Sequence, residues 1–144
     1  MISRYVKRLT EEWLAHNKLI VAVDYDDTLY PWKFATQEEC DKVFNLLEFA
    51  RMAGIYVVIF TASGPERYEE ITKYCNSKGL KIDSINKNPI DLPYGHEENA
   101  KIYYNIFLCD RAGLDASMEV LHKAAGNVIT EKRNKYDQTL NDVA

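Results

Sequence analysis

The sequence predicts an α/β fold with a mainly parallel central sheet, and three observations carry that prediction. Apolar runs of strand length at 20–23, 55–60 and 103–109 each lead into a polar residue, namely Asp24, Thr61 and Asp110. Stretches of helical periodicity alternate with them, as in a sheet built through crossover connections. Gly54 and Gly79 stand where helices should stop. Together these give a three-layer, Rossmann-like arrangement. In such open sheets ligands bind beyond the carboxyl ends of the strands, where Asp24, Asp26, Thr61 and Asp110 would converge.

Taken in order, residues 3–17 read as an amphipathic helix. Val6, Leu9 and Trp13 form its apolar stripe, while Arg4, Lys7, Arg8, Glu11 and Glu12 face out. Packing against the sheet is expected, with a dimer surface as the alternative. The strand to Asp24 is followed by a helix over 36–53, the strand over 55–60, and a helix over 65–77 that opens on Pro65. A short strand over 81–85 precedes a polar loop, 86–99, that holds Pro89, Pro93 and Gly95. This loop is longer than most connections, and such loops often serve as lids. The strand over 103–109 and a helix over 114–125 follow. The charged tail over 128–144 is expected to be a last strand and helix, or a frayed end. The chain is read as one domain, 1–144: a helical extension at 1–18, a catalytic core at 19–125 and a terminal segment at 126–144. Neither interval, 28–61 nor 61–101, has room for an inserted second domain.

A chain of 144 residues, 47% hydrophobic, can bury a single core. It has no apolar run long enough for a signal peptide or a membrane span, so a cytoplasmic protein without membrane contact is expected. Three scattered cysteines, Cys40, Cys75 and Cys109, fit reduced thiols better than a disulfide framework. His16, His96 and His122 show no metal-ligand spacing, and none is paired with a nucleophilic Ser or Cys. Zinc hydrolysis and Ser or Cys triads are therefore not expected.

The chemistry concentrates at Asp24, Asp26 and Asp27, three carboxylates on one turn after a strand. Their mutual repulsion disfavours the turn unless a cation or strong hydrogen bonds offset it. Oxygen ligands of this kind suit magnesium, which commonly joins one or two carboxylates to a substrate phosphate. Taken alone, the same turn reads as a helix cap or solvated loop, and Thr61 as a cap before Pro65.

The sequence Asp24-Tyr25-Asp26-Asp27-Thr28, then Thr61, Lys101, and Asp110 with Asp115, resembles in order the four motifs of the haloacid dehalogenase superfamily of phosphohydrolases. The resemblance spans roughly residues 19–125. It implies a small, capless member in which Asp24 attacks phosphorus and becomes an aspartyl phosphate, with Asp26 as general acid and base. Thr61 and Lys101 would hold the phosphoryl oxygens. Asp24, the backbone carbonyl of Asp26, and Asp110 would bind magnesium, and Asp115 would orient a ligand or water from behind. Lys87, just beyond the short strand, competes with Lys101. Ala62, Ser63, Arg67 and Trp32 are the expected substrate contacts, Arg67 meeting a second anionic group. Two departures stand out. Cys109 occupies a position where the family usually has Gly or another acid, and Asp27 replaces the commoner Gly.

A capless site leaves its cover to the substrate, a neighbouring subunit in a homo-oligomer, or a loop. The expected substrate is a nucleotide or other small phosphate ester, because Trp32, Tyr30 and Tyr94 can stack a base or sugar. Phosphorylated nucleic-acid ends are the alternative, disfavoured by a net charge of −4 and the scarcity of basic clusters. A receiver domain or a non-catalytic phosphate binder are the readings from other classes.

Overall fold

The computed structural model describes residues 2–90 and 101–143. Four strands, β1 (Leu19–Asp24), β2 (Ile55–Phe60), β3 (Ser84–Ile85) and β4 (Ile106–Leu108), form one sheet in the order β3-β2-β1-β4. Every pairing is parallel. The helices are α1 (Ser3–His16), α2 (Gln37–Arg51), α3 (Tyr68–Ser77) and α4 (Leu114–Val143). The α/β, Rossmann-like expectation holds. No helix among the described residues is long and apolar enough to cross a membrane.

Because side chains alternate along a strand, the two faces of the sheet have different covers. Leu19, Val21 and Val23, with Ile55, Val57 and Ile59, share one core with buried residues of all four helices. On the opposite face Ile20 and Val58 lie under Ile102 and Tyr104. Among the described residues that third layer is irregular chain, 101–105, rather than helix.

Specific bonds anchor α1 and start α2. Trp13 on the buried stripe of α1 donates from Nε1 to the carbonyls of Ala53 and Gly54, at 3.1 and 2.9 Å. That fixes α1 across the joint between α2 and β2, and α1 packs on β1 and α4. Thr36 and Glu39 form a reciprocal capping box at the start of α2. Gly54 then reverses the chain at φ +97°, a backbone conformation that favours glycine. The helix expected over 65–77 begins as one tight 3₁₀ turn, Pro65–Arg67, before α3.

Three expectations are corrected. β3 keeps only two residues of the strand expected over 81–85; Asp83 continues the contact with β2, accepting from the Val57 N–H through its carboxylate at 2.8 Å. β4 is shorter than 103–109: Asn105 N–H still bonds the Ile20 carbonyl at 2.9 Å, but the Ile20 N–H is taken by the Asn105 side chain, its Oδ1 accepting at 2.8 Å. The tail is neither strand nor a separate helix. α4 runs unbroken for 30 residues across the expected boundary at 125/126, since Gly126 is tolerated, Val128 is buried, and Lys132 bonds the Ala53 carbonyl at 2.9 Å. Most of the expected lid, with Tyr94 and His96, lies outside the described residues.

Candidate active site

Strand register assembles the site. Asp24 is opposite Phe60, which places Thr61 beside Tyr25; Val23 is opposite Leu108, which places Cys109 beside Asp24 and Asp110 one residue beyond. Two acids 86 residues apart are thus gathered at the carboxyl edge of adjacent strands. One oxygen of each, with Cys109 Sγ, lie within 4.8 Å of one another. Thr28 bridges them: its Oγ1 stands 3.4 Å from Asp24 Oδ2 and from Asp110 Oδ1, and accepts from Asp110 N–H at 3.0 Å.

This arrangement is electrostatically unfinished. Burial, together with the hydrogen bond and negative charge of Asp110, pushes the Asp24 carboxyl up from 3.8 to about 6. Two converging carboxylates of this kind favour either a shared proton or a cation. The two carboxylates, Asp24 and Asp110, are oxygen donors of the kind that could hold a hard dication such as magnesium. Cys109 does not belong to that set. Burial raises its thiol, which stays protonated and donates weakly toward Asp110 Oδ1 at 3.9 Å.

Asp26 and Asp27 are treated quite differently from Asp24. Asp26 receives a two-pronged bond from Arg67, Nη1 to Oδ2 at 2.9 Å and Nη2 to Oδ1 at 3.0 Å. Arg67 also reaches Ser63 Oγ at 3.0 Å and lies over the Tyr25 ring, 5.2 Å from its centroid. The guanidinium expected to await a second anion is therefore engaged with the candidate acid and base. Asp27 adopts φ +61° and is buried, and its Oδ1 accepts from four successive N–H groups, those of Trp32, Lys33, Phe34 and Ala35, at 2.9–3.1 Å. Burial alone would raise this carboxyl, but the four donors outweigh it and hold it below its usual value. The left-handed backbone explains why Gly or Asp suits this position. Asp27 is a loop organiser, not a ligand.

The Thr61 turn is also prearranged. Asn86, at φ +55° beyond β3, accepts from Thr61 N–H at 2.9 Å and donates to Thr61 O at 2.7 Å. Thr61 Oγ1 accepts from Ser63 N–H at 3.1 Å, so Ala62 and Ser63 are held in a tight turn. The sequence gives little sign of Asn86, which lacks a charge or a motif; its position two residues ahead of Asn88 in a turn-rich stretch is the available clue.

Other expected residues are less closely tied. Lys101 is exposed and forms no ion pair with a described residue. Its neighbour Tyr103 donates from N–H to Asn88 Oδ1 at 3.0 Å, fastening that segment to the loop leaving β3. Lys87 is exposed too, its carbonyl accepting from Ser84 Oγ at 2.6 Å. Asp115 is exposed in the first turn of α4 and lines a cleft of about 490 Å³ with Asp110, Thr28, Phe34 and Leu114. Trp32 does not line this cleft; Lys33 Nζ sits over its ring, 4.3 Å from the centroid. Tyr30 is occupied as well, stacked on Tyr25 and edge-on to Tyr74.

No family model matches the chain, and no curated protein does. The fold is similar to that of a conserved protein coded by a locus from Bacteroides thetaiotaomicron, with a TM-score of 0.57 and 23% sequence identity over 81% of this chain and 93% of that one. At that identity the likeness bears on the fold alone.

Proposed function

We propose that the chain is a magnesium-dependent phosphohydrolase of the haloacid dehalogenase type, acting on a nucleotide or other small phosphate monoester. The observation that supports this most is the meeting of Asp24 and Asp110 beside Thr28, at the sheet edge where the motif order requires it. Bound magnesium would offset the charge of the two carboxylates and of the phosphoryl oxygens.

In the proposed reaction a carboxylate oxygen of Asp24 attacks phosphorus as the bond to the ester oxygen breaks, and Asp26 supplies a proton to that oxygen. Water then attacks phosphorus in the aspartyl phosphate, Asp26 takes its proton, and inorganic phosphate leaves with Asp24 restored. Arg67 pairs with Asp26 in its ionised form, the form present at the aspartyl-phosphate stage, and so aims that carboxylate as it takes the proton of water. Thr61, fixed by Asn86, presents its turn to the phosphoryl oxygens, and exposed Lys101 is available to join it. Asp115 stands at the rim as a polar neighbour of Asp110.

Release of phosphate from p-nitrophenyl phosphate tests the reading. Turnover should require magnesium and vanish in Asp24→Asn. Equal activity in a chelator, or an active Asp24→Asn protein, would overturn it.

A further inference from the structure

We infer that the cleft beside Asp110 takes the leaving group of the ester, and that Phe34 selects a flat aromatic one, making a nucleoside monophosphate the substrate class. This rests on the phosphohydrolase reading and narrows it. Phe34 is 82% exposed, the most exposed large hydrophobic side chain among the described residues, and it lines that cleft. Its backbone is pinned, because the Phe34 N–H is one of four bonded to Asp27. A large apolar ring carried on a pinned backbone and left uncovered at a cleft is a ready stacking face.

Among the described residues, elimination points to the same ring. Tyr30 is stacked inside the Tyr25–Tyr74 cluster and Trp32 lies under Lys33. Leu114, Ala35 and Ala116 add apolar surface to the lining, and about 490 Å³ falls in the range that holds a small ligand. Asp110 and Thr28 belong both to this cleft and to the proposed metal edge, so one ester can span the two.

The lining also limits the class. Among the described residues it contains Asp27, Glu39, Asp110 and Asp115 but no Lys or Arg. A polyphosphate tail or a nucleic-acid strand laid in it would meet like charge with no counter-ion from the wall. A nucleoside, neutral over most of its surface, meets no such opposition.

The test is the selectivity of the enzyme, taken as kcat/KM for a nucleoside monophosphate divided by kcat/KM for glycerol phosphate. Phe34→Ala should lower this ratio about tenfold, the scale of one lost base–aromatic stack, and Phe34→Tyr should preserve it. An unchanged ratio in Phe34→Ala would overturn the inference, even if both activities fell together. Calorimetric titration of the intact protein with the nucleoside monophosphate separates the two readings. If the wild type turns over neither ester, binding that is lost in Phe34→Ala still supports the cleft assignment, and absence of binding overturns it.

Discussion

Asp24 and Asp27 lie three residues apart, yet their surroundings are opposite in character. The Asp24 pocket places a second carboxylate against the first and leaves the pair short of positive charge. The Asp27 pocket wraps one carboxylate in four backbone N–H groups. A buried acid that is already satisfied builds structure, whereas one whose charge is left uncompensated is arranged to meet something from outside. The contrast separates an architectural aspartate from a chemical one without appeal to motif.

Exchange of the two acids for neutral residues should break that symmetry most visibly. Asp24→Asn is expected to lower turnover by about 10³-fold or more, with little loss of stability because a crowded charge is removed. Asp27→Ala is expected to destabilise the protein by about 2–4 kcal/mol in denaturant melts, since four N–H groups lose their acceptor. A destabilised Asp24→Asn, or a fully stable Asp27→Ala, would erase the distinction.

Acidity should then separate the pockets by sign. The Asp24 carboxyl is raised from 3.8 to about 6 in the fold, so its favourable contribution is present below about pH 4 and is lost as pH climbs through about 6. Asp27 is lowered, so its contribution is present above 3.8 and is lost as pH falls. In the metal-free protein, the melting temperature of Asp24→Asn should therefore gain on the wild type between pH 4.5 and pH 7. Magnesium at pH 7 should raise the wild type and leave the variant unmoved. A gap that does not depend on pH would contradict the proposed crowding.

The smallest expected effect concerns Asp26, which stands between the two cases with its own guanidinium partner. Arg67→Ala should lower kcat by about tenfold through a loosened Asp26, with KM for a small ester changing less. A rise in KM with kcat intact would instead make Arg67 a substrate ligand.

Much of this was legible in the residues themselves. The apolar runs ending in Asp24, Thr61 and Asp110 indicated parallel strands with a shared edge, since those periodicities and end positions are local properties of the chain. Asp27 was read as a member of an acidic cluster because its four partners are set by loop geometry, which the spacing of charges does not encode. The place of Phe34 rather than Trp32 on the cleft was hidden for a similar reason: both N–H groups bond Asp27, and the course of the loop, which the sequence does not encode, sets which residue lines the cleft. The length of α4 escaped because its buried positions fade after Val128, while helix continuity there depends on propensity and the Lys132 bond rather than on an apolar stripe.

Asn105 gives the helix at the beginning of the chain a bearing on chemistry at the far edge of the sheet. Besides joining Ile20 through Oδ1 and its own N–H, it donates from Nδ2 to Glu12 Oε2 at 2.9 Å. That side chain works as a locating pin for the strand carrying Asp110. A slip of one place would displace the acid by roughly 3.3 Å and turn it to the other face. Alignment of the two carboxylates is thus secured from the opposite end of the sheet, by a neutral amide that performs no reaction.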